Sequence, residues 1–227
     1  MSATHSMTSI VLAGGKGKRL GKHKMVEVVG GRPMLQRVVD SLSPVSHRIL
    51  VVVAQGQGCP VLEARQARVD CIQDVYPGKG VLGGIYTGLS ASDSQRSLVV
   101  AGDMPFLNPG LVQYLISAAP GFDVVMPRLD GLIQPLHAVY SKSCLPPIRA
   151  RLEQGQLQIR TFLTEVRVRY VEAAEIDGFD PRRLSFFNIN TPRDLEEARG
   201  IAAESLEQST TLGRLTGRVG APRRPAR

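Results

Sequence analysis

The stretch Val11-Leu12-Ala13-Gly14-Gly15-Lys16-Gly17-Lys18-Arg19-Leu20-Gly21, closing at Lys24, decides how this chain is read. The apolar run Ile10–Ala13 ends in paired glycines. It reads as a buried strand that delivers the chain into an open loop. Glycines let backbone N–H groups approach an anion, and Lys16, Lys18, Arg19 and Lys24 neutralise it. That combination fits a polyphosphate. Two familiar phosphate loops do not match. A P-loop ends Gly-Lys-Ser/Thr, whereas Gly21-Lys22 is followed by His23. The dinucleotide fingerprint needs glycine where Leu20 stands.

Beyond this loop, strand-like and helix-like segments alternate, which argues for parallel strands joined by crossover helices. Arg48–Ala54, Val69–Ile72, Leu98–Ala101, Asp123–Pro127, Leu136–Tyr140, Arg167–Val171 and Phe186–Asn188 read as strands. Helices are expected from Pro33 to Pro44, over Val61–Arg68, from Asn108-Pro109 through Ala118, over Cys144–Gln154, and from Thr191-Pro192 to about Arg199. Val81–Ser90 is a weaker helical pattern whose Gly83, Gly84 and Gly88 permit close packing on a ligand. The expected fold is α/β: a three-layer, open, mostly parallel, Rossmann-like sheet with helices on both faces. Ligands in such sheets sit at the carboxyl ends of strands, which puts Gly14–Lys24, Gln55, Asp74 and Asp103 on one rim.

The 227 residues fit one domain, residues 1–203, with a basic tail, residues 204–227. The net charge is +8, but five arginines follow the last acid, Glu207, and removing them leaves +3. Such a tail reads as a disordered end rather than a dedicated nucleic-acid arm. No apolar stretch approaches the ~20 residues that span a bilayer, and the polar start lacks a secretory core. A cytoplasmic protein with Cys59, Cys71 and Cys144 as reduced thiols is the reading this supports. Cys59 and Cys71 would then flank a helix.

Asp103 leaves an apolar strand directly and precedes Pro105. A lone carboxylate there, beside a cationic glycine loop, suits Mg2+, which takes one or two carboxylates plus phosphate oxygens. His137, inside a strand-like run, reads as a half-buried structural residue. Asn188 and Asn190 share one strand face, leaving Thr191 to cap the next helix. Arg149, Arg151, Arg160, Arg167 and Arg169 read mainly as solvated faces.

Taken together, Leu12-Ala13-Gly14-Gly15 with Arg19 and Lys24, Asp74 before Pro77-Gly78, Gly102-Asp103-Met104-Pro105 and Phe187-Asn188-Ile189-Asn190-Thr191-Pro192 resemble the molybdenum cofactor guanylyltransferases. The resemblance runs from about Ser9 to Arg199. It implies transfer of GMP from GTP to molybdopterin, giving a guanine dinucleotide cofactor and pyrophosphate. It further implies nucleotide contacts from Leu12, Ala13, Gly14, Gly15, Lys16, Lys24, Gln55 and Asp74. Magnesium would sit on Asp103, and the pterin side of the site would hold Asn188 and Asn190. Arg19 and Lys16 would face the leaving pyrophosphate, with Lys24 nearer the α-phosphate, so Arg19, Lys24 and Asp103 form the catalytic set. Transient contact with molybdoenzyme maturation proteins also follows from the resemblance; membrane or dedicated nucleic-acid contact does not. Two departures bear on base choice: His23 stands where relatives commonly carry Asp, and Lys79 extends the Pro77-Gly78 segment. CMP transfer to the same pterin, or nucleotidyl transfer to a sugar phosphate or other small phosphate, therefore stays open. A non-catalytic nucleotide- or RNA-binding protein is a different class, against which Lys24 and Asp103 together argue.

Overall fold

The structure is a computed structural model that describes residues 7–14 and 24–216; of Lys24 and residues 206–216 it describes the backbone alone. Its centre is an eight-stranded sheet built on β1 (Thr8–Leu12). On one side of β1 lie β4 (Arg48–Val53) and β5 (Arg68–Gln73). On the other lie β6 (Arg96–Ala101), β9 (His137–Ser141), β7 (Val124–Leu129) and β10 (Val168–Glu172), in that order. The short β8 (Leu132–Ile133) pairs with β7. Pairings of β1 with β4 and β6, β4 with β5, and β7 with β10 are parallel. Only β8 and β9 run against them. A separate ribbon pairs β2 (Val28–Val29) with β3 (Arg32–Pro33).

Both faces of the sheet are covered, which is why its strands are almost continuous Val, Ile and Leu. Side chains alternate strictly. Val11, Ile49, Val51, Leu98 and Val100 point to the layer of α1 (Met34–Leu42), α3 (Pro109–Ser117) and α6 (Ala173–Asp177). Ile10, Leu50, Val52 and Val99 point to α2 (Gly80–Ala91), α4 (Leu145–Glu153) and α5 (Ile159–Leu163). The expected three layers are therefore present. The last helix, α7 (Pro192–Thr216), packs Leu195, Ala198 and Ala202 on Met34 and Val29. Asn108 caps α3 as expected, its side chain accepting the Leu111 N–H at 3.0 Å. Among the described residues no helix is long and apolar enough to cross a membrane.

Four expectations are corrected. Residues 61–67 are not helical; the crossover from β4 to β5 is irregular chain laid against α1. The Gln36 amide, on α1, donates to the Glu63 carbonyl at 2.6 Å and accepts the Glu63 N–H at 3.1 Å. Gln66 N–H reaches Ser43 Oγ at 3.1 Å. Side-chain bonds to the backbone thus replace the helical ladder that the local composition favours. Second, Cys59 and Cys71 are joined as a disulfide, with Cα atoms 6.1 Å apart, because this crossover folds back along edge strand β5; Cys144 alone is free and buried. Third, Phe186–Asn188 is not a strand, since Leu184–Phe186 forms a 3-10 turn. Fourth, α7 continues past Arg199 to Thr216, into the stretch read as tail; residues 217–227 lie outside the described part.

Two glycines of α2, Gly84 and Gly88, serve the sheet, whereas a Cβ on Gly83 would meet the Tyr76 carbonyl oxygen at 3.0 Å. A Cβ on Gly88 would lie 2.4 Å from Ile10 Cγ2, and one on Gly84 3.1 Å from Leu12 Cδ1. Close helix–strand approach is what they permit. Gly88→Ala should accordingly destabilise the protein by about 1–2 kcal/mol, the overpacking cost exceeding the ~1 kcal/mol gain in helix propensity. Urea unfolding of the variant would reveal this, and equal or higher stability would contradict it.

Candidate active site

Because β1, β4, β5 and β6 are parallel, their carboxyl ends open on one rim, and the chain passes from β5 back across β1 to reach β6. A crevice forms at such a switch point, between the ends of β1 and β6. The Gly102 N–H donates to the Leu12 carbonyl at 3.0 Å, and Ala13 N–H donates to Val52 at 2.8 Å, so the ladder extends into both loops. Gly14 then rests on the backbone leaving β4, where an added Cβ would sit 2.6 Å from Ala54 N. Only glycine fits there. Lys24 opens a short 3-10 helix, Lys24–Val26. Gly15, Lys16 and Arg19, expected at the phosphates, lie outside the described residues.

Asp103 stands half-buried at the end of β6. Its carbonyl accepts the Ile189 N–H at 3.0 Å, which brings the Asn188–Asn190 segment to the rim. Asn188 and Asn190 are both exposed about buried Ile189, so the alternation expected of a strand survives in irregular chain. Asn188 Nδ2 donates to the Phe186 carbonyl at 3.0 Å. Thr191 and Asp194 cap α7: the Asp194 carboxylate accepts from Asn190 N and Thr191 N, each at 2.8 Å. Asp74 continues from β5, its N–H donating to Val53 at 2.8 Å. One carboxylate oxygen of Asp74 accepts from Tyr76 N–H at 2.9 Å and from Thr87 Oγ1 at 2.8 Å. Gln55 is exposed in the turn after β4. The described part of the expected set, from Leu12 to Asn190, is thus gathered on one edge of the sheet.

The basic second half stays away from this rim chemistry. Arg149 pairs with Glu153 at 2.8 Å, Arg167 with Asp123 at 3.1 Å and Arg169 with Glu175 at 2.6 Å, and Arg151 pairs with Glu165. These arginines are neutralised by neighbours on the surface, as expected. Among the described residues no cluster of three or more His, Cys, Asp or Glu side chains could hold a metal ion.

Fold and rim together define a doubly wound α/β domain with the ends of β1, β4, β5 and β6 side by side at its switch point. The chain belongs to the MobA-like NTP transferase family, whose domain matches residues 9–170. It is 34% identical over 198 residues to the probable molybdenum cofactor guanylyltransferase of Pelotomaculum thermopropionicum, covering 87% of this chain and 94% of that one. Identity to the Methanosarcina mazei protein of the same description is 37% over 211 residues, covering 88% and 92%. The structure matches the crystal structure of molybdopterin-guanine dinucleotide biosynthesis protein A from Archaeoglobus fulgidus with a TM-score of 0.71 and 28% identity, over 87% of this chain and all of that one. A cytidylyltransferase acting on 2-C-methyl-D-erythritol 4-phosphate, from Thermus thermophilus, shares the fold at a TM-score of 0.64 and 19% identity.

Sequence reasoning missed three supports of the rim. Thr87 orients Asp74, and a buried hydroxyl on the sheet side of a mostly apolar helix is its mark. Arg37 lies over the Phe106 ring at 5.4 Å and reaches the Pro105 carbonyl at 3.4 Å, bracing the Asp103–Pro105 element. The third is His137, which is fully buried rather than half-buried, 5.1 Å from the Phe186 ring. Neither of its ring nitrogens has a hydrogen-bond partner among the described residues. Burial pushes its pKa down to about 4, and the nearby Ser185 backbone and Asp180 carboxylate offset only part of this.

Above pH 6.5 the ring is neutral in folded and unfolded chains alike. As pH falls below that, the unfolded chain binds a proton that the folded one refuses until about pH 4. Stability should therefore drop by about 3 kcal/mol across this window on account of His137, at ~1.4 kcal/mol per pH unit. Urea unfolding of the wild type and His137→Leu from pH 7 to 4 isolates the effect as the difference between the two slopes. Parallel curves would contradict it.

Proposed function

We propose that this protein transfers GMP from GTP to molybdopterin, forming the guanine dinucleotide cofactor and releasing pyrophosphate. The observation that carries this reading is the convergence of Leu12–Gly14, Asp103 and the Asn188–Asn190 segment on one rim, in a chain whose full-length relatives are described as guanylyltransferases. In the reaction an oxygen of the acceptor's phosphate monoester bonds to the α-phosphorus. The bond from that phosphorus to the bridging oxygen breaks, and pyrophosphate leaves. A phosphate monoester with a second pKa near ~6 is already ionised at neutral pH, so no general base is needed.

The work of the chain is alignment and charge stabilisation. Gly14 opens the loop that meets the phosphates, where Lys16 and Arg19 neutralise the leaving pyrophosphate and Lys24 the α-phosphate. Gln55 and Asp74, on adjacent strand ends, meet the nucleoside, and Asp74 arrives already oriented by Thr87. Asn188 and Asn190 position the acceptor. Asp103 would hold Mg2+, which when bound supplies charge neutralisation at phosphate oxygens.

Thermal unfolding with GTP, CTP, ATP and UTP, each with and without magnesium, tests the reading. GTP at 100 times its dissociation constant should raise the midpoint by about 5–10 °C, and only with magnesium. A shift with CTP in place of GTP would move the product to the cytosine dinucleotide, and no shift with any nucleotide would overturn the reading. Asp103→Asn should lower turnover about 100- to 1,000-fold while leaving the unfolding midpoint without ligand unchanged. Near-normal turnover would remove Asp103 from the metal site.

A further inference from the structure

We propose that Cys59 and Cys71 form a reversible dithiol–disulfide pair whose oxidation orders the chain that follows β4 and so tightens nucleotide binding at the rim. The proposal rests on the reading of that rim as the nucleotide site. Cys71 lies on edge strand β5, Cys59 lies in the crossover, and both are exposed, so a small thiol or disulfide in solution reaches them. The third cysteine does not compete. Cys144 is buried, and its thiol is pushed up to about 12, chiefly by burial.

The crossover has no secondary structure from Ala54 to Ala67. Its later part is fixed independently of the disulfide, because Gln36 clamps Glu63 and Ser43 holds Gln66. Its earlier part is different. Between Val53 and Leu62 the described hydrogen bonds are the local turn bonds of Gln57 to Ala54, and the disulfide is the tie to the sheet until Leu62 packs on the core. That earlier part also touches the site. Ala54 N forms the surface on which Gly14 rests, and Gln55 follows it. Opening the disulfide therefore loosens one wall of the phosphate loop and leaves the core and the rest of the crossover in place. Preorganising a binding loop strengthens binding by reducing the ordering cost.

The exchange balances with glutathione disulfide as oxidant. One cysteine thiolate attacks it and releases a glutathione thiol. The second cysteine attacks the mixed disulfide and releases another. Two electrons pass to the glutathione sulfurs, and each protein thiol gives up its proton. A small dithiol reverses both steps.

The test compares full-length protein treated with glutathione disulfide and with dithiothreitol, after removal of each. Thiol titration in denaturant should count one thiol in the oxidised form and three in the reduced form, of the three cysteines present. Proteinase K, which needs no particular residue, should cut within residues 55–62 several-fold faster in the reduced form. Calorimetric GTP binding with magnesium should be roughly 3- to 10-fold weaker in the reduced form. Cys59→Ser should match the reduced protein under both treatments. Three thiols after oxidation, or equal GTP affinity in the two forms, overturns the proposal. Faster cleavage on reduction without GTP binding in either form overturns the nucleotide reading itself and leaves the thiol pair standing.

Discussion

The structure depends on the parallel placement of β1 between β4 and β6. That arrangement puts the ends of three strands side by side, and backbone bonds carry the pairing past the strands into the loops, from Gly102 to Leu12 and from Ala13 to Val52. Everything on the rim inherits its position from these bonds. Gly14 is driven against Ala54, Asp103 is set beside the loop after β1, and the segment ending in Asn190 is tied to Asp103 through Ile189. An edge built this way needs few dedicated contacts, since the ladder of the sheet has already fixed the geometry.

The helices answer to the same strand. Gly84 and Gly88 let α2 press onto Leu12 and Ile10, so the helix that carries Thr87 to Asp74 comes within reach of the rim. On the opposite face α1 supports two neighbours through polar side chains. Gln36 holds the β4–β5 crossover, and Arg37 reaches the Val29 and Pro105 carbonyls. Buried polar groups of this kind specify which segments meet, because an unmet hydrogen bond in the interior costs about 1–3 kcal/mol. His137 departs from this with both ring nitrogens unpartnered among the described residues. It accepts that cost in a site shaped by Phe186, and its neutrality follows from burial.

Much of this was legible in the sequence. Apolar runs bounded by glycine or turn residues located β1, β4, β6, β7, β9 and β10, because strands buried on both faces leave a continuous Val, Ile and Leu signature. Asn108-Pro109 and Thr191-Pro192 announced their helices through capping chemistry that is local by nature. The placement of Gln55, Asp74 and Asp103 on the rim was legible for the same reason, since in a parallel sheet the residue after a strand is a residue of the rim. Residues 61–67 misled because their composition favours a helix, and a side chain far away in sequence, Gln36, took their backbone bonds instead. Asn188 and Asn190 were read as a strand from an alternation that is real in exposure but lacks a partner strand.

The sequence by itself determined the class of sheet, the glycine turn that leaves β1 and the carboxylate at the end of β6. These follow from patterns only a few residues long, which local backbone preferences and burial enforce. Only the tertiary structure decided that Cys59 meets Cys71, that Thr87 orients Asp74, that Gly84 and Gly88 serve β1, and that the buried ring of His137 has no hydrogen-bond partner among the described residues. Each of these joins segments remote in sequence, and remote contacts are set by how the layers pack, which no short pattern encodes.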